Sequence, residues 1–151
     1  MKRAITHALI AFAVLAVLAA CEAALASGPR RPVVVLDERV RVSVDIVDTP
    51  ALRARGLSGR ADLPESQGML FLFEAPGSQA FWMKDMRFEI DMLWIRDGKI
   101  VGVTASVPLP KLGLPLARYS SPAPCDVVLE LRAGAAQRMG LRVGHSVRIE
   151  R

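Results

Sequence analysis

The sequence predicts an α+β, mostly β fold: a single compact domain of about seven short, mainly antiparallel strands, as one sheet or a partial barrel, with two short helices. Three observations point there. Val40, Val42, Val44 and Ile46 alternate with Arg41, Ser43 and Asp45, the period of a half-buried strand. "GMLFLFE" is an apolar run with too little polarity to be exposed on either face. Asp97-Gly98 sits between two further apolar runs, the turn chemistry of a hairpin.

Taken in order, the 151 residues begin with a segment to be set aside. Lys2 and Arg3 precede "ALIAFAVLAVLAA" and then Cys21, the layout of an export signal. "LAAC" resembles the bacterial lipobox, which makes Cys21 the expected site of lipidation; "ALA" at residues 24 to 26 offers an ordinary signal-peptidase site instead. The expected organisation is therefore a lipoprotein-type signal peptide at 1–20, a linker at 21–32 and a domain at 33–151. The location is periplasmic or otherwise extracytoplasmic, with membrane attachment through the lipid and a secreted soluble form as the alternative. An uncleaved single-span anchor is a third option, although the apolar run is short for the ~20 residues a span needs.

Within the domain, an apolar run from Val33 meets a polar turn at Asp37-Glu38 and then the alternating strand. Thr49 before Pro50 reads as a helix start, a hydroxyl cap followed by a proline where its missing N–H is harmless. The helix should stop at Gly56 to Gly59. "GMLFLFE" follows, then Ala75-Pro76-Gly77 as a turn, the segment "SQAFWMKDM", and the Asp97-Gly98 hairpin. Five prolines between Pro108 and Pro124 exclude a central strand or helix and leave a long surface loop. "CDVVLELRAG" returns to strand, "GAAQRMGL" reads as one or two helical turns closing at Gly140, and "VGHSVRIE" is a last strand.

Charge and cysteine content narrow the function. The 20 Lys and Arg against 15 Asp and Glu become 18 against 15 once Lys2 and Arg3 are removed, and the arginines are scattered. That is a solvated surface and not a nucleic-acid footprint. With Cys21 lipidated, Cys125 is the one remaining thiol, so no internal disulfide is expected and Cys125 should be a small half-buried residue. One histidine after the signal, His145, and one cysteine are too few for a transition-metal site, so no metal or other cofactor is expected. No G-x-S-x-G elbow or phosphate-cradling loop is present.

The stretch "FWMKDMRFEIDMLWIRDG" concentrates the remaining chemistry. By strand parity Trp82, Lys84, Met86, Phe88, Ile90, Met92 and Trp94 share one face, and Asp85, Arg87, Glu89 and Asp91 lie on the other. A run this long should bend or bulge between Asp85 and Glu89. Lys84, among Trp, Met and Phe, must reach outward or find a carboxylate, with Asp91 the nearest candidate and Asp85 and Glu130 behind it. Trp82 and Trp94 are either core or a stacking platform.

"RARGLSGRADLPESQGMLFLFEAPGSQAFWMKDMRFEIDMLWIRDGKIVGV", with "VLELRAG" and "MGLRVGHSV", resembles the DUF192 family from about Val40 to Ile149. The resemblance implies one small β-rich domain, exported or membrane-tethered, and no defined activity. Arg55, Arg60, Trp82, Lys84, Asp91 and Glu130 fall on matching positions and are the candidate ligand-binding residues. Glu89 and His145 depart from the family pattern and are not carried over. The expected function is a non-enzymatic ligand-binding or accessory module of the cell envelope, taking an envelope glycan, a small anionic ligand or a membrane-protein partner. The alternatives are a glycan hydrolase using two of Asp85, Glu89, Asp91 and Glu130, and a structural protein that binds a membrane partner through the proline-rich loop.

Overall fold

The computed structural model describes residues 31–151. Along the chain lie β1 (Val33–Leu36), β2 (Val40–Val47), α1 (Pro50–Arg55), β3 (Gln67–Gly77), β4 (Ala80–Trp82) and β5 (Ile90–Arg96). They are followed by β6 (Lys99–Val107), β7 (Arg118–Ser120), β8 (Cys125–Arg132), α2 (Ala135–Arg138) and β9 (Val147–Glu150). The mostly β architecture with two short helices is the one the sequence predicts. Two strands are additional: β4 and β7, of three residues each, pair with each other as a separate ribbon. The proline-rich segment is exposed as expected, but β7 gives it this one anchored stretch. The expected signal peptide, the lipidation of Cys21 and nearly all of the expected linker lie outside the described residues.

The other seven strands form one sheet in the order β6-β5-β8-β3-β2-β1-β9. Every neighbouring pair is antiparallel except β2 and β3, which α1 connects in parallel. The sheet curls until its two ends meet. Val147 N donates to Gly98 O at 2.8 Å and Ile100 N to His145 O at 3.0 Å. At the β5–β6 hairpin, Asp97 (φ 50°) and Gly98 (φ 66°) both take positive φ, the twist that suits a two-residue turn between paired strands.

Side-chain alternation divides the core in two. All seven strands contribute to the cluster inside the curl, with Leu70, Leu93, Leu129 and Leu131 at its centre and Ala135 and Ala136 of α2 packed against them. The outer face of β3, β8 and β5 carries the second cluster, with Met69, Phe71, Ile90, Met92, Trp94 and Val128. Loop residues Leu57, Leu63, Met83 and Phe88 cover that second face. No helix among the described residues is long and apolar enough to cross a membrane.

Candidate functional site

The outer cover is held down at its two sides. Thr49 caps α1, its Oγ1 accepting from Leu52 N at 3.3 Å, and Pro50 opens the first turn. Gly56 (φ 49°) ends it, and a Cβ there would come within 3.3 Å of the Phe71 ring, so glycine serves both the turn and the close approach. Arg53 fastens the helix to β3 by donating to Asp48 O at 2.6 Å and Leu72 O at 2.7 Å, with its guanidinium 5.1 Å from the centre of the Phe73 ring. On the other side, the chain after β4 turns through Lys84 and Asp85 (φ 56°). Ser58 Oγ donates to Lys84 O at 2.8 Å and Gly59 N to Asp85 O at 2.9 Å. The bend expected between Asp85 and Glu89 therefore forms, and the loop after α1 braces it.

Between α1, β3 and this bend lies a cavity of about 220 Å³. Its walls are Phe71, Phe73, Phe81, Trp82, Met83, Met86 and Ile90, with Arg53, Arg55 and Ser58 on the helix side and Glu130 among the residues lining it. The rings are packed edge to face: Phe71 to Phe81 at 4.9 Å and Phe73 to Phe81 at 6.4 Å between centroids. Phe81 reaches Trp94 in the same manner at 5.6 Å.

Glu130 is the unusual group in this wall. It sits opposite Met69 of β3 and Met92 of β5, in the middle of the sheet, and is 5% exposed. Among the described residues its carboxyl group makes no hydrogen bond or ion pair. Burial pushes it up to about 8, because the charged form has lost its water and gained no compensating partner. At neutral pH it is therefore mostly the neutral acid, able to donate one hydrogen bond and accept another.

Asp91 is also buried, at 0% exposure, but its situation is the reverse. It pairs with Leu131 across the β5–β8 ladder, so it faces the inside of the curl while Glu130 faces out. Its Oδ1 accepts from Ser106 N at 2.8 Å and Gly134 N at 3.1 Å, and its Oδ2 from Ala136 N at 2.8 Å. Those three donors are the irregular end of β6, where Ser106 has φ 52°, and the start of α2. The expected pairing of Lys84 with Asp91 is not formed. Lys84 is exposed on the bend, and the Asp91 carboxylate is committed to backbone on the opposite face.

The remaining candidates separate in the same way. Arg60 pairs with Asp45 at 2.8 Å, which accounts for its charge without a ligand. Arg55 is exposed, makes no ion pair or hydrogen bond among the described residues, and lines both the aromatic cavity and the neighbouring one. The two tryptophans divide: Trp94 is core, its Nε1 donating to Thr104 Oγ1 at 2.8 Å, whereas Trp82 is 51% exposed at the cavity wall. The structure thus brings Trp82, Arg55 and Glu130 to one cavity and leaves Asp91, Arg60 and Lys84 out of its lining. Arg53, Phe73, Phe81 and Met86 are the lining residues that sequence reasoning passed over. For Phe73 the sequence held a signal, since it lies two residues from Phe71 in "GMLFLFE" and so shares its face of the strand.

Carboxylate chemistry is constrained by this geometry. A hydrolase using Asp91 with Glu130 would need both acids on one side of a substrate, and the sheet lies between them. Asp85 and Glu89 are exposed on the bend. Cys125, expected to be half-buried, is fully buried, and that burial raises its thiol, the opposite of an activated nucleophile.

No curated protein is significantly similar to the chain. Two crystal structures share its fold. A proposed transcription regulator from Sinorhizobium meliloti is 30% identical, with a TM-score of 0.66 over 72% of this chain and 81% of that one. A protein of unknown function from Novosphingobium aromaticivorans is 25% identical, with a TM-score of 0.71 over 77% of this chain and 83% of that one. The profile of the DUF192 family, described as an uncharacterized ACR, matches residues 33–149, the whole of the curled sheet from β1 into β9. The chain belongs to the DUF192 family.

Proposed function

We propose that the chain is an exported, lipid-anchored envelope protein acting as a non-enzymatic ligand-binding or accessory module, with its ligand seated between α1 and the bend after Trp82. The observation that carries the binding role is Glu130, an acid held without a partner among the described residues in the wall of an aromatic cavity. A ligand that hydrogen-bonds this acid gives it the partner that the described residues do not, a contact worth about 1 kcal/mol net. The anchoring role is supported by the basic start, apolar run and "LAAC" of the first 21 residues.

A thermal-shift screen of the full chain in detergent, against envelope sugars, peptidoglycan fragments and small anionic metabolites, tests the binding role. A ligand at 100 times its Kd adds about 2.7 kcal/mol, or several degrees for a domain of this size. No shift with any compound, or a shift that survives in both Trp82→Ala and Glu130→Ala, removes the cavity from consideration. Membrane fractionation tests the anchor: Cys21→Ser releases the protein from the membrane fraction, and retention of the variant there contradicts lipidation at that residue.

A second reading has one observation in its favour. Leu109, Leu112, Leu114 and Leu116 are exposed along the proline-rich loop, Leu112 completely so at 105%, with Lys111 among them. Four leucines in water support a structural role in which this loop rests on a membrane partner. The regulator description of the Sinorhizobium protein is not carried over. The two helices among the described residues have six and four residues, too short to present a recognition face to a DNA groove.

A further inference from the structure

The cavity's own chemistry selects among ligand classes. Its volume of about 220 Å³ is below the ~300–1,000 Å³ of drug-sized sites, which limits the occupant to a small molecule. Four aromatic rings and two methionines suit a compact apolar body. Such a wall offers few partners for the many hydroxyls of a sugar.

Charge decides the rest. The charged groups that line the cavity are Arg53 and Arg55 from α1 and Glu130 from β8; β3, β4, the bend and β5 contribute no titratable side chain to the lining. Arg53 is held by two carbonyl oxygens and the Phe73 ring, so it supplies positive potential without swinging toward a ligand. Among the described residues Arg55 has no such ties, and a guanidinium closes on a carboxylate through two parallel hydrogen bonds. Glu130 at neutral pH opposes neither charge, because burial keeps it protonated. A cation would share the cavity with two guanidinium groups.

We propose that the cavity binds a small organic monocarboxylate with an aromatic or branched apolar body, whose carboxylate pairs with Arg55 while its body packs among Phe73, Phe81 and Trp82, toward Glu130. This rests on reading the cavity as a binding site. Glu130 in its acid form accepts a neutral end of the ligand, donating a hydrogen bond where that end carries a carbonyl or hydroxyl oxygen. Ionising Glu130 places a negative charge in the same cavity as the bound anion, so affinity falls as pH rises past the point where Glu130 releases its proton.

Calorimetric titration of the full chain in detergent, corrected with a micelle blank, compares three probes of one shape: 3-phenylpropionate, 3-phenylpropanol and 3-phenylpropylamine, at pH 6 and pH 9. The expected result is that the acid binds at pH 6 at least tenfold more tightly than the alcohol or the amine. Arg55→Gln removes that advantage, and since Arg55 is exposed and makes no bond among the described residues the variant folds. Glu130→Gln, a neutral acid mimic, keeps the pH 6 affinity and abolishes the weakening at pH 9. Tighter binding of the amine, lost in Glu130→Gln, overturns the ligand class and leaves the cavity as a site. Failure of all three probes to bind at either pH, in protein whose circular dichroism is native, overturns both.

Discussion

Glu130 and Asp91 lie one strand apart on opposite faces of the same sheet, and the contrast between them separates a structural acid from a binding one. Both are buried. Asp91 has three backbone N–H donors, which it ties together across the end of β6 and the start of α2. Glu130 has none among the described residues, and it faces a cavity where Asp91 faces packed side chains. Burial alone does not mark a site, since a carboxylate with its acceptors filled is part of the scaffold. Burial with open hydrogen-bonding capacity beside empty space is what a ligand can exploit.

Breaking the scaffold acid should have the largest effect. Asp91→Ala takes the acceptor from three backbone donors, that of Ala136 buried and those of Ser106 and Gly134 part-buried, and is expected to lower stability by roughly 2–4 kcal/mol, measured by urea unfolding. A loss below about 1 kcal/mol would show that water replaces the carboxylate and that Asp91 is no more structural than Glu130.

Glu130 is next, and its contribution depends on pH. Its folded value of about 8 lies above the usual 4.5, so between those limits the folded chain holds a proton that the unfolded chain has released. The stability linked to Glu130 is therefore full below pH 4.5 and lost as pH rises toward 8. The slope is at most about 1.4 kcal/mol per pH unit. Comparing unfolding of the wild type with Glu130→Gln isolates it: the variant's stability relative to wild type should improve across that window, and parallel curves would mean the acid is solvated in the cavity.

Gly68 sharpens the comparison from the neighbouring strand. A Cβ at Gly68 would stand 2.9 Å from Glu130 O and 2.9 Å from Leu129 Cδ1, so β3 must shift away from β8 to admit one. Gly68→Ala is expected to cost roughly 1–3 kcal/mol by overpacking. Thermal melting checks this, and an unchanged midpoint would mean that the sheet yields freely on its inner face. The smallest effects belong to the rim. Trp82→Ala and Lys84→Ala, both exposed, should each change stability by no more than about 0.5 kcal/mol. A large loss in Lys84→Ala would restore the structural ion pair that the sequence suggested.

Legibility followed the physics of short range. The alternation in β2, the Thr49-Pro50 helix start and the Asp97-Gly98 turn are local signals, and each forms where its residues predict. The bend after Trp82 was visible as a strand too long and too charged to stay straight. The partners were not visible, because they depend on register between distant strands. Asp91 reaches Gly134 and Ala136 only because β5 lies beside β8 with Asp91 opposite Leu131, and nothing within "FEIDMLW" encodes that. β4 and β7 were missed for the same reason: each is three residues long and exists by pairing with a distant segment, Ala80 meeting Ser120 and Trp82 meeting Arg118. Of the six candidate residues, those in the cavity were recognisable as residue types, and their grouping was not.

The ladder that joins β1 to β9 has a consequence for when the chain can fold. Val33 lies opposite Glu150 and Leu36 opposite Val147, so the first strand of the domain waits for the last four-residue strand to be synthesised. Until then β1 has one neighbour instead of two and the seam to β6 is open. Long-range closure of this kind slows folding relative to local pairing. A chain that cannot finish its sheet until its last strand is made stays open longer, which suits the export that we propose for it.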